Sequence, residues 1–150
     1  MKQFVLAFVL CSVAHISSAQ AQTSPVTWSF DVEKVGDQKY LLKFTADINK
    51  GWVVYSQHLD EGGPVPTGCF FNDSKEVKMI GNVEEKSDAI KNMDELFGME
   101  VIKYKEVADF EQLVEVSSAP QIIDGELEYM TCDGSRCLPP TTVEFKFEIN

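Results

Sequence analysis

The chain has 150 residues, with 24 acidic against 13 basic side chains and a formal net charge of −11. That balance argues against binding nucleic acid or an anionic membrane surface, which both need clustered Lys and Arg. Hydrophobic residues make up 44%, too many to expect disorder, and four cysteines are too few for a small disulfide-dense scaffold.

Residues 1–21 read as a secretory signal. Lys2 supplies the positive start, an apolar run follows, and Ala19-Gln20-Ala21 forms an A-x-A cleavage site. The apolar run is too short for a bilayer-spanning helix, and no later stretch approaches the ~18 residues a span needs. The expected mature chain, 22–150, is therefore one domain without a membrane span. Export would place it in an oxidising compartment, where disulfides persist. Loss of the signal removes Cys11 and leaves Cys69, Cys132 and Cys137.

The mature chain reads mostly as strands. Val26, Trp28, Phe30 and Val32 alternate with polar residues, and Gly36-Asp37 marks a turn. Tyr40, Leu42, Phe44, Ala46 and Ile48 form a second alternating set, followed by a turn at Asn49-Lys50-Gly51 and a compact apolar run over 52–55. Further strands are expected at 69–71, 76–80, 99–105, 112–116 and 125–131. The last alternation is Val143, Phe145, Phe147 and Ile149. A period of two with frequent turns implies an antiparallel β-sandwich or barrel of about eight strands. Residues 82–97 lack strand patterning and read as a long loop, a feature uncommon in compact domains unless functional. Residues 62–68 form a second loop, stiffened by Pro64 and Pro66.

The most informative chemistry is Cys132-Asp133-Gly134-Ser135-Arg136-Cys137. Asp-Gly favours a hairpin turn, so the two cysteines can face each other at disulfide distance. One reading is a structural staple. In the loop-entropy model, however, so small a ring contributes only about 2 kcal/mol, against about 4 kcal/mol for joining Cys69 to Cys132. A second reading is a redox switch, whose reduction leaves both thiols close and the fold intact. A third is zinc, whose ligands usually come as two close pairs; one pair is present here, with Cys69 and His58 as spare candidates. No cofactor or metal motif is otherwise present. Cys69, beside Phe70 and Phe71, reads as a small buried hydrophobe.

The run Tyr129-Met130-Thr131-Cys132-Asp133-Gly134-Ser135-Arg136-Cys137-Leu138-Pro139-Pro140-Thr141 resembles the N-terminal periplasmic domain of the thiol:disulfide interchange protein DsbD, whose cysteine pair is followed by an apolar residue and Pro-Pro. Lys50-Gly51-Trp52-Val53-Val54-Tyr55-Ser56-Gln57, with Gly63-Pro64-Val65-Pro66-Thr67, resembles that family's early strand and loop. Asp94-Glu95-Leu96-Phe97-Gly98 resembles its loop covering the active site.

The resemblance implies an immunoglobulin-like β-sandwich with an inserted active-site loop region. It implies that Cys132 and Cys137 are a redox pair, with Cys137 forming the mixed disulfide. It places Asp94 and Glu95 as acidic neighbours, and Leu96 and Phe97 as the cap. Reducing equivalents would come from a thioredoxin-like domain and pass to a periplasmic disulfide isomerase or a cytochrome-maturation thioredoxin. Because the sequence stops at Asn150, the donor is expected to act in trans. The cysteine spacing is one residue shorter than in the best-known members, and Leu96 stands where phenylalanine is frequent. The rival expectation is a non-enzymatic immunoglobulin-like binding module with a structural Cys132–Cys137 disulfide.

Overall fold

The computed structural model describes residues 24–150; the expected signal at 1–21 and Cys11 lie outside them. Eleven strands and no helix make up the described residues. No helix among them is long and apolar enough to cross a membrane. The first sheet has the order β1 (Val26–Gly36), β2 (Lys39–Ile48), β8 (Val107–Val116), β5 (Val77–Glu85). A second holds β11 (Thr141–Ile149), β9 (Gln121–Tyr129) and β4 (Gly68–Phe71). A third holds β10 (Thr131–Cys132), β3 (Val53–Tyr55), β7 (Met99–Tyr104) and β6 (Ile90–Asp94). All paired neighbours are antiparallel.

The alternating residues of the first two sheets meet in the main core. Leu42, Phe44, Phe110 and Val114 come from one side, and Ile123, Leu127, Phe145, Phe147 and Ile149 from the other. Phe44 is the hub, with edge-on ring contacts to Phe145 at 5.0 Å and Phe147 at 5.2 Å, a geometry that adds to area burial. The expected all-β sandwich is thus present, with a third sheet added to it.

Two expectations need correction. Residues 82–97 are not one long loop, because β5 runs on to Glu85 and β6 spans Ile90–Asp94. Alternation fails in β5 because its register on β8 shifts between Ile80 and Glu84, where Gly81 takes a left-handed φ of 71°, as a bulge does. In β6 it fails because only Asp94 is buried, as befits an edge strand. β8 also begins well before the expected 112, with Ala108 and Phe110 continuing its buried face.

Glu85 ties the third sheet to the first. Its carboxylate accepts bonds from the Ser56 hydroxyl at 2.9 Å, the Gln57 amide at 2.6 Å and the Tyr104 hydroxyl at 2.5 Å. Burial, reinforced by Glu85, pushes the Tyr104 hydroxyl pKa well above its ordinary value.

Where β9 crosses between β4 and β11 the backbones leave no room for a side chain. A Cβ on Gly125 would lie 2.1 Å from the Phe70 carbonyl oxygen and 2.7 Å from the Phe145 ring. Gly125→Ala should therefore lower stability by about 3 kcal/mol or prevent folding, measured by urea unfolding. Gly51→Ala, with open space around it but a φ of 90°, should cost only about 1 kcal/mol.

Candidate functional site

In the third sheet, β3 is buried on both faces. Val54 and Tyr104 point into the main core. Their neighbours Val53, Tyr55, Val101 and Cys132 form a second apolar cluster, joined by Leu59, Phe97, Met99, Met130 and Cys137. The run over 52–55 shows no alternation in sequence because β3 has two apolar faces, as interior strands do.

Cys132 and Cys137 are joined by a disulfide, with Cα atoms 4.0 Å apart. Cys132 ends β10, opposite Val53. Around the pair, the Asp133 amide donates to the Arg136 carbonyl at 3.0 Å and the Leu138 amide to the Thr131 carbonyl at 2.9 Å. Those bonds flank the cysteines without joining them, which makes them a non-hydrogen-bonded antiparallel pair, the closer of the two kinds of opposed position. Cys132 is 1% exposed, while Cys137 is only partly buried. Cys132 is sealed in the cluster, and Cys137 packs at its edge, nearer solvent.

The β6–β7 hairpin supplies the neighbouring wall. Its tip, Asp94-Glu95-Leu96-Phe97-Gly98, closes through the Gly98 amide on the Asp94 carbonyl at 2.8 Å. Gly98 takes a φ of 65° there, a conformation that favours glycine. Phe97 turns inward and meets the Tyr55 ring edge-on at 6.0 Å. Leu96 is 43% exposed, and Glu95 is exposed as well. Of the two expected cap residues, then, the aromatic one lies in the disulfide cluster.

Asp94 faces inward, but not as a free charge. It pairs with Lys103 at 2.7 Å, the side chains being 8% and 13% exposed. Its other oxygen accepts the Leu96 amide at 3.1 Å, and the Tyr55 hydroxyl lies 3.5 Å away. Burial opposes the charge on Asp94, yet the Lys103 bond and charge, with the Leu96 and Phe97 amides, outweigh it and hold the carboxyl pKa below its ordinary value. Burial and the Asp94 charge push the Tyr55 hydroxyl well upward. The sequence reading missed Tyr55 and Lys103. The available signal was a lysine inside the apolar strand Val101-Ile102-Lys103-Tyr104, which needs a buried partner.

Cys69 sits elsewhere. It pairs across from Leu127 and packs on the main core, and burial pushes its thiol up to about 12. It is far too weak an acid to supply thiolate at neutral pH. No group of three or more His, Cys, Asp or Glu among the described residues could hold a metal ion.

The family model "Thiol:disulfide interchange protein DsbD, N-terminal" matches residues 19–149. The chain belongs to the DsbD N-terminal family. The N-terminal periplasmic domain of ScsB from Proteus mirabilis superposes with a TM-score of 0.64 at 14% identity, over 85% of this chain and 48% of that one. This chain therefore spans about half the length of that relative. The reduced N-terminal domain of DsbD from Neisseria meningitidis superposes with a TM-score of 0.56 at 18% identity, over 82% and 86% of the two chains. At these identities the likeness shows the fold alone, that of the DsbD N-terminal immunoglobulin-like domains. No curated protein matches the chain.

The Asp94–Lys103 pair makes a pH prediction. A carboxyl held below its unfolded value adds stability that is complete above about pH 4 and fades as pH falls through the lower folded value. Thermal midpoints of wild type and Asp94→Asn should therefore differ by a constant amount from pH 5 to 7 and converge toward pH 2. Lys103→Met, which leaves Asp94 charged and buried, should cost about 3 kcal/mol at pH 7.

Proposed function

We propose that this chain is an exported thiol–disulfide exchange domain whose working group is the Cys132–Cys137 pair. The observation that carries this reading is the pair's placement: a disulfide closing a short hairpin, set in its own cluster outside the main core. Opening that bond takes no side chain out of the Phe44–Phe145–Phe147 core, so the fold can survive each turnover.

The asymmetric burial of the two cysteines supports distinct roles for them. An incoming thiolate attacks the more exposed sulfur, Cys137, and forms a mixed disulfide while Cys132 leaves. In the return direction, the Cys137 thiolate attacks a partner disulfide and Cys132 resolves the product. Phe97, with Leu96 beside it, acts as a cap that must move before a partner sulfur can approach. Asp94 holds the cap's turn, and Glu95 presents a charge at its tip. The donor is a thioredoxin-like domain, and the acceptors are a periplasmic disulfide isomerase or a cytochrome-maturation thioredoxin. Residues 1–21 direct export to the periplasm and are removed, leaving 22–150 as a single domain.

Cys132→Ser should trap a covalent complex through Cys137 when mixed with an oxidised periplasmic thioredoxin-fold protein, seen as a reducible band in non-reducing electrophoresis. No such complex, under conditions where the meningococcal DsbD domain gives one, would reject the assignment. Phe97→Ala should speed reduction of the disulfide by dithiothreitol several-fold, and Leu96→Ala should have the smaller effect, followed by stopped reactions and thiol alkylation.

A further inference from the structure

We propose that Asp133 is a positioning residue for the redox pair: its side chain shapes the hairpin so that the two thiols stay opposed when the disulfide is open. The proposal rests on the exchange function above and deepens it. Between the cysteines lie four residues, and one carboxylate oxygen organises them. Asp133 Oδ1 accepts the Ser135 amide at 3.0 Å, the Ser135 hydroxyl at 2.7 Å and the Arg136 amide at 3.0 Å. The second oxygen lies 3.5 Å from Arg136 Nε. The Arg136 guanidinium in turn stands 6.0 Å over the Trp52 ring, which anchors the turn to the sandwich. Gly134 supplies the left-handed φ of 87° that the turn needs.

None of these bonds involves sulfur, so all of them can persist in the dithiol. The donors to Asp133, its own hydroxyl and amide neighbours first, hold its carboxyl down at about 2. Asp133 is therefore ionised across the whole pH range in which thiols exchange. Thiol oxidation within the chain requires the ordered hairpin. Its apparent equilibrium constant is the intrinsic constant multiplied by the fraction of dithiol molecules already ordered, as for any process drawing on one conformer. A residue that orders the turn raises that fraction without touching either sulfur.

The test is equilibration of the chain with glutathione. The protein dithiol passes two electrons and two protons to glutathione disulfide; the Cys132–Cys137 bond forms, the glutathione S–S bond breaks, and two glutathione thiols result. Asp133→Ala should lower this equilibrium constant about tenfold, which for a two-electron couple is ~30 mV. Ser135→Ala, which removes one donor of three, should fall between. Asp133→Asn keeps an oxygen acceptor at the same place and should return the constant to within about two- to threefold of wild type. Circular dichroism of both redox forms keeps the comparison to folded protein. A constant for Asp133→Ala within twofold of wild type would overturn the proposal, as would Asp133→Asn behaving like Asp133→Ala. If Asp133→Ala fails to fold, the other two variants decide: a Ser135→Ala constant equal to wild type, or an Asp133→Asn constant lowered about tenfold, would overturn the proposal. If wild type itself unfolds on reduction, the exchange function fails together with the proposal. If wild type exchanges normally and only the variants are unmoved, the proposal alone fails.

Discussion

The structure depends on one constraint, the burial of β3, and of Val101 and Tyr104 in β7 beside it, on both faces of the third sheet. Strand residues point alternately to opposite sides, so β3 and β7 must satisfy two apolar environments at once. Val54 and Tyr104 join the main core, while Val53, Tyr55 and Val101 turn the other way and enclose Cys132. A one-residue slip in β3 or β7 would exchange those sets. The tyrosines make that slip costly, because each hydroxyl has its own carboxylate: Tyr104 on Glu85, Tyr55 near Asp94. The same register that packs the sandwich therefore aims the disulfide cluster.

This division separates redox chemistry from folding energetics. The aromatic core around Phe44 contains neither of the bonded cysteines. The cysteine that does pack there, Cys69, is held protonated by its surroundings. The charges near the disulfide are also handled locally. Asp94 is neutralised by Lys103, and Asp133 is saturated by donors from its own turn. A carboxylate beside a thiol would raise its pKa. Here each carboxylate is engaged by partners within its own hairpin.

Sequence patterning revealed the sandwich because β1, β2, β9 and β11 each have one buried and one wet face, and their alternation survives in Val26–Val32, Tyr40–Ile48 and Val143–Ile149. It failed where that condition fails. β6 has almost no buried face, β5 is broken by a bulge at Gly81, and β3 has two apolar faces. The cysteine hairpin was legible because Asp-Gly between two cysteines is a local signal. The Asp94–Lys103 pair was not, since it joins residues on neighbouring strands whose register only the fold supplies. The choice of Phe97 over Leu96 as the inward residue follows from the turn closed by Gly98, which sequence alone does not orient.

The two hairpins differ in what closes them, and that difference bears on how the site can work. The cysteine hairpin is closed three ways: by backbone bonds at Asp133 and Leu138, by the Asp133 carboxylate and by the disulfide. Breaking the covalent link leaves the other two. The cap hairpin is closed by backbone and Asp94 bonds, but its Phe97 reaches the cluster through ring contact alone. In the proposed function, where Phe97 is the cap, moving its ring gives up packing contacts but none of the hydrogen bonds that hold the turn behind it. In the proposed exchange function, a hydrogen-bonded sulfur-bearing turn beside a turn whose aromatic is held by packing would let Cys137 be uncovered without loosening the strand that holds Cys132.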